Sequence, residues 1–271
     1  MMGAFDTHSH IQDPKLLGDF DGVLERARSA GLAGIAVLGY DAPSNALALE
    51  LAARSALLFP AVGYHPHEAD DVTPAMLAEL ESLASLPEVV AVGEIGLDAY
   101  RHHSSEANQR KLIDAQLEIA LRVGKPVCVH SRAAEDAIFE HLGPYAERAR
   151  AAGLAVPGVM HCFGGTFEQA QPYLAAGFVV SVACTVTYPK NDVTARLVKN
   201  VPLEALVIET DSPYLPPQTR RGQLNEPANV VEAARAIAAL REEPLEHVLE
   251  VTTRNAARLF RVPVGVTAVG A

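Results

Sequence analysis

The sequence predicts an α/β fold, a single (β/α)₈ barrel with a metal site at the C-terminal end of its strands. Three observations carry that expectation. The chain has 271 residues, close to the roughly 250 typical of one such barrel. Eight apolar, β-branched segments recur with helical stretches between them. Histidines and carboxylates cluster at the C-terminal ends of six of those segments, where parallel barrels place their chemistry.

The strand segments are 4–10, 34–40, 58–67, 89–98, 126–132, 157–163, 178–185 and 205–214. Several are near-continuous apolar runs, as parallel strands buried on both faces require. Helical periodicity and boundary residues fill the gaps. Residues 19–30 end at Gly31, and 75–86 follow Thr73-Pro74, an N-cap with proline in the first turn. Helices are further expected over 105–123 (to Gly124), 133–152 (to Gly153), 166–176 (to Gly177), 227–241 and 245–260. A doubly wound sheet would need a GxGxxG or P-loop after an early strand, and neither is present. With no linker-like composition shift, residues 1–263 are expected to form one barrel domain and 264–271 a tail.

Composition narrows the function classes. Apolar residues make up 49% and charged residues 20%, enough for a sizeable core. No apolar run reaches the ~18 residues of a membrane span, and no signal segment opens the chain, so no membrane partner and a cytoplasmic location are expected. Cys128, Cys162 and Cys184 are too few and too far apart for a disulfide framework or a CxxC zinc site; they read as small buried core residues. The formal charge of −11 argues against wrapping nucleic acid over a broad basic surface.

The strand ends read Asp6-Thr7-His8-Ser9-His10, His65-Pro66-His67, Glu94 to Asp98, His130-Ser131-Arg132, His161-Cys162-Phe163 and Glu209-Thr210-Asp211. His8 and His10, two apart on an extended strand, share a face and can chelate one ion. Alone, such a pair is as readily a hydrogen-bonded surface pair, and a single His130 or His161 an ordinary half-buried histidine. Their joint placement on one rim favours metal binding. His102, His103, His141 and His247 fall in polar loops or helices and read as solvated. Imidazole with carboxylate suits zinc, manganese, iron or nickel, whereas magnesium prefers oxygen ligands. Glu94 has two oxygens and can bridge two ions, as two-metal hydrolases require. Asp211 can ligate one ion and accept a proton from the attacking water.

DTHSH at 6–10, GYHPH at 63–67, GEIGLD at 93–98 with Gln109, KPVCVHSR at 125–132, MHCFGG at 160–165, ETDSPYL at 209–215 and RGQLNEP at 221–227 together resemble the TatD-like metal-dependent deoxyribonucleases of the amidohydrolase superfamily. The resemblance implies two divalent ions (Mg, Mn, Zn or similar). His8, His10, Glu94 and Asp211 would hold one, and Glu94, His130 and His161 the other. It maps His65, Arg132 and Glu209 to the substrate side. Arg132 suits a phosphate through its planar fork, with a structural ion pair as the alternative. The implied activity is 3′→5′ exonuclease cleavage of phosphodiesters, with single-stranded DNA or short nucleic-acid ends as partner; a monomer is expected, with an oligomer as the alternative. Two departures stand out. Ala99 precedes Tyr100 where the family commonly has an aromatic, and Leu112 stands where an aromatic is frequent.

Charge is in tension with a polyanionic substrate. Two ions and Arg132, Arg101, Arg220 and Arg221 could offset it at the mouth, which favours short, end-on engagement of single strands. The rival enzyme reading is an amidohydrolase of C–N or ester bonds. Many of those bridge their metals with a carboxylated lysine, whereas here strand four offers Glu94, and Lys125 lies at the opposite end of strand five. The non-enzyme reading is a metal-binding scaffold without turnover.

Overall fold

The computed structural model describes residues 3–263, so the expected tail 264–271 lies outside the described residues. Eight parallel strands hydrogen-bond in sequence order: β1 (Ala4–Ser9), β2 (Leu32–Leu38), β3 (Leu58–Val62), β4 (Ala91–Asp98), β5 (Val127–Arg132), β6 (Gly158–Met160), β7 (Val179–Val182) and β8 (Leu206–Ile208). Helices cross over between them: α1 (Pro14–Leu17) and α2 (Phe20–Ser29), α3 (Ala42–Ala52), α4 (Pro74–Ala84), α5 (Glu106–Val123), α6 (Phe139–Ala151), α7 (Phe167–Ala175) and α8 (Asp192–Asn200). After β8 come α9 (Val230–Arg241) and α10 (Leu245–Phe260). This is a single (β/α)₈ barrel.

The seam between β1 and β8 is closed largely by polar groups. Asp211 N–H donates to the His8 carbonyl (2.9 Å) and His10 N–H to that of Ser212 (2.8 Å). The buried Asp6 carboxylate accepts from Thr210 N (2.8 Å) and Thr210 Oγ1 (2.6 Å), so the first strand grips the last. Burial raises the Asp6 carboxyl well above its ordinary value, with the Thr210 bonds opposing that rise.

One apolar cluster draws on every strand: Phe5, Ala36, Leu38, Ala61, Ala91, Cys128, Val159, Val179 and Val207, joined by Ala256, Leu259 and Phe260 of α10. At the strands' N-terminal end, Phe5 packs on Phe59 (centroids 5.4 Å) and Phe260 (5.8 Å). The larger core lies between strands and helices.

Helix boundaries follow the expected signals where those are local. Thr73 caps α4 by accepting from Met76 N, with Pro74 in the first turn, and Gly124 ends α5 in the left-handed conformation (φ 67°). Three outcomes differ from the sequence reading. The helix expected at 133–152 begins at Phe139: Ala133 adopts a left-handed φ of 53° and residues 135–138 form a turn ahead of the helix. The sequence reading places no helix at α1, α3 or α8; α3 (APSNALALELA) is apolar nearly all round and shows no polar face to read. Cys128 and Cys184 are buried as expected, but Cys162 is only half-buried, its own φ of 42° turning it out of the strand run. Among the described residues no helix is long and apolar enough to cross a membrane.

Candidate metal centre

Buried amide side chains fix the ends of the strands that carry the site. Asn45 of α3 accepts from Gly63 N (3.0 Å) and donates to Gly63 O (2.9 Å). Gln116 of α5 does the same for Tyr64 (2.7 and 2.9 Å), and Gln109 for Asp98 (2.8 and 3.2 Å). Each replaces a missing strand neighbour, so these strand ends keep their hydrogen bonds where the ladder stops. Gly96, at φ 154°, lets β4 approach β5 closely; a Cβ there would lie 1.9 Å from the His130 carbonyl oxygen.

Glu94, only 4% exposed, sits at the centre. Its Oε2 lies 3.5 Å from both His8 Nε2 and His10 Nε2. Its Oε1 lies 3.0 Å from His130 Nδ1, 3.7 Å from His161 Nε2 and 3.7 Å from His65 Nε2. Asp211 Oδ1 stands 3.6 Å from His10 Nε2 and 4.0 Å from His8 Nε2. Three ligand groups thereby converge, each within 4.8 Å: His8–His10–Asp211, His8–Glu94–His161 and His65–Glu94–His130. His8 Nε2 and His10 Nε2 approach to 3.2 Å. Buried lone pairs aimed at one another repel unless a cation sits among them, so the donor set fits divalent metal.

Neighbouring contacts set each ring's tautomer. His10 Nδ1 is 2.9 Å from the Leu38 carbonyl and must donate to it, which leaves Nε2 free for a metal. His161 Nδ1 faces Glu209 Oε1 at 2.8 Å, again leaving Nε2 toward Glu94. A carboxylate or carbonyl behind a ligating histidine is the usual orienting arrangement. His65 runs the other way: its Nδ1 accepts from His67 N (3.1 Å), so the proton is on the Nε2 that faces Glu94. His65 belongs to a converging group, and in this tautomer its ring presents a hydrogen-bond donor at the mouth.

Charge follows from these contacts. Burial pushes His8 down to about 4, with His161 adding to the effect and Glu94 opposing it. Burial likewise holds His65 well below the ordinary imidazole value. Burial also opposes charge on His161, but Glu209 and Glu94 outweigh it and lift the ring to about 10. Burial would raise Glu94, yet His65, His8 and His130 hold it well below the carboxylate range. Asp211 is pushed up to about 6 by burial, offset in part by His161 and His10. Asp211 also holds a left-handed φ of 54°, a conformation costing about 1–3 kcal/mol for a non-glycine residue. That conformation turns its carboxylate toward His8 and His10.

All six expected ligands, His8, His10, Glu94, His130, His161 and Asp211, are thus brought together. The three substrate-side residues separate. His65 reaches the cluster. Arg132 is exposed on the rim, its guanidinium 4.3 Å above the Tyr100 ring. Glu209 is 1% exposed and lies behind His161, its Oε1 2.8 Å from His161 Nδ1. Asp98 had no role assigned in the sequence. Its Oδ2 lies 2.8 Å from His67 Nε2 and 3.4 Å from His130 Nε2, which backs His130 as Glu209 backs His161. The available signal was its spacing of four from Glu94, which puts both on one strand face. His102, His103 and His247 are exposed as expected, but His141 is half-buried against Asp114 (2.6 Å), a structural pair on α5 and α6. Lys125 lies two residues before β5 with Nζ on the Leu86 carbonyl (2.5 Å), remote from the mouth.

An eight-stranded parallel barrel whose rim gathers four histidines and Asp211 around the buried Glu94 defines the metal-dependent hydrolase class. Comparison with known proteins narrows it. The chain belongs to the TatD family: the model of that family, described as TatD related DNase, matches residues 5–261. It is 36% identical over 258 residues to the uncharacterized metal-dependent hydrolase YabD of Bacillus subtilis, covering 95% of this chain and 99% of that protein. It is 35% identical to the 3′-5′ ssDNA/RNA exonuclease TatD of Erwinia billingiae, covering 96% and 99%. The crystal structure of YjjV, a TatD homologue from Escherichia coli K12, superposes with a TM-score of 0.89 at 32% identity, covering 96% of this chain and 98% of that one.

Proposed function

We propose that the protein is a 3′→5′ exonuclease that trims single-stranded nucleic acid with two divalent ions bridged by Glu94. One observation carries the two-ion reading: the two oxygens of Glu94 face different histidine sets, Oε2 toward His8 and His10, Oε1 toward His130 and His161. His8, His10, Glu94 and Asp211 would hold one ion; Glu94, His130 and His161 would hold the other. Bound there, the ions would supply an acidified water and polarise the phosphoryl oxygen.

The chain's own groups do the rest. Asp211, whose left-handed backbone brings its carboxylate to 3.6 Å from His10 Nε2, is placed to take the water's proton. His65 presents its Nε2 proton toward the cluster, where a non-bridging phosphate oxygen can accept it. Arg132 offers two parallel N–H donors from the rim. Glu209 and Asp98 keep His161 and His130 aimed. The nucleic-acid substrate and the direction of cleavage are supported by the exonuclease names of relatives such as the Erwinia billingiae protein. A monomer in a reducing cytoplasm is the setting this reading assumes, in keeping with three unpaired thiols.

The test combines metal analysis of protein purified without chelators with turnover of 5′- and 3′-labelled single-stranded oligonucleotides, simple phosphodiesters and cyclic amides. A ladder shortening from the 3′ end, with two equivalents of metal, is the expected result. Internal cuts would overturn the exonuclease assignment. Rapid amide cleavage with no nucleic-acid cleavage would place the protein with the amide hydrolases instead.

A further inference from the structure

Two tyrosines are conspicuous on the rim. Tyr100 is 62% exposed and Tyr214 47% exposed, two of the four large hydrophobics that stand out in solvent among the described residues. They follow β4 and β8, which lie four strands apart in the eight-stranded order and therefore face each other across the mouth. Neither is a floppy side chain on a loose loop. Tyr100 N–H donates to Asp98 Oδ1 (2.9 Å), and the neighbouring Ala99 N–H to the Arg132 carbonyl (2.9 Å). Tyr214 N–H donates to the Asp211 carbonyl (2.9 Å), and its hydroxyl to Asp13 Oδ2 (3.2 Å). Each tyrosine's backbone is thus tied to a carboxylate residue that itself faces the histidine cluster, and the Tyr214 ring is further held by Asp13.

Each ring also carries a cation. Arg132 lies 4.3 Å from the Tyr100 centroid, and Lys15 Nζ 4.9 Å from the Tyr214 centroid. A rigid exposed aromatic paired with a cation is what sequence-tolerant binding of single strands requires, since every base offers a π face and every linkage a negative charge. Resting on the exonuclease reading, we infer that Tyr100 and Tyr214 are stacking platforms for the two bases that flank the scissile phosphate. The strand crosses the mouth between them. Stacking also relieves the charge problem, because a chain of net charge −11 then gains affinity from ring faces at two nucleotides and needs no broad basic track.

The test is a comparison of kcat/KM for wild type, Tyr100→Ala, Tyr100→Phe and Tyr214→Ala, all metal-supplemented and checked for unchanged melting. The substrates are a single-stranded oligonucleotide and the same strand made abasic at its last two 3′ positions. Each alanine variant should lose about 5- to 150-fold on the normal strand, Tyr100→Phe should recover most of that loss, and the loss should largely vanish on the abasic strand. An equal loss on both strands would overturn the inference, because the ring would then only be positioning Arg132 or the loop. So would no loss on a strand that the wild type degrades. If the wild type degrades no nucleic acid, the exonuclease reading itself fails and this inference falls with it.

Discussion

The two ends of the barrel are built from the same eight strands and solve opposite problems. At the N-terminal end, Phe5, Phe59 and Phe260 close the interior with rings at 5.4 and 5.8 Å, and area removed from water is the stabilising term. At the C-terminal end the barrel buries Asp6, His8, His10, Glu94, Asp98, His161 and Glu209. Their desolvation is opposed by paired contacts and, in the working enzyme, by metal. The lesson is that one end can be optimised for stability while the other stores strain and unfavourable charge. Asp211 shows both, with its left-handed backbone and its carboxyl raised to about 6.

The largest expected effect breaks the chemistry and spares the fold. Glu94→Ala should lower bound metal and cut turnover by at least about a thousandfold, an order typical of removing a preorganised electrostatic element, with the barrel's circular dichroism unchanged. Metal content and turnover like the wild type's would sink the bridging role. The mirror experiment is Phe5→Ala at the closed end. It should cost about 3–5 kcal/mol of stability, read by denaturant unfolding, while turnover per folded molecule holds. A comparable fall in turnover would show that the two ends are not separable.

Asp211→Asn sharpens the contrast by moving the two properties in opposite directions. The folded Asp211 carboxyl lies near 6 against an ordinary 3.8, so the fold disfavours its charged form. That cost is absent below the ordinary value, grows between the two, and is complete above the folded one. In chelator-treated protein at neutral pH, Asp211→Asn should therefore raise stability by about 1–3 kcal/mol, the gain fading as pH falls from about 6 toward about 4 and gone below that. The same variant should lose orders of magnitude in kcat. A melting temperature that falls at neutral pH without metal would contradict the assignment of burial as the dominant influence on Asp211. The smallest effect belongs to the exposed Arg132: Arg132→Ala should raise KM for a phosphodiester about tenfold and change kcat less. Equal losses in both would make it part of the reacting centre.

Much of this was legible in one dimension. Apolar runs alternating with helical periods predict the eight strands, because burial on both faces leaves its mark residue by residue. His8, His10, Glu94, His130, His161 and Asp211 announce themselves by ending those runs. Local signals also place Thr73 and Gly124 at helix boundaries, since caps involve only neighbours in the chain. Other features depend on partners distant in sequence. The tautomer of His10 is set by the Leu38 carbonyl, and the aim of His161 by Glu209, 48 positions on. Nothing in the spacing of Glu209 distinguishes a substrate contact from a buried brace, just as nothing around Tyr100 reveals the Arg132 guanidinium over its ring. Periodicity and residue chemistry are properties of the chain and fix the barrel and its ligand types. Orientation, protonation and exposure belong to the packed fold, because only closure of the barrel decides which groups share a dry space.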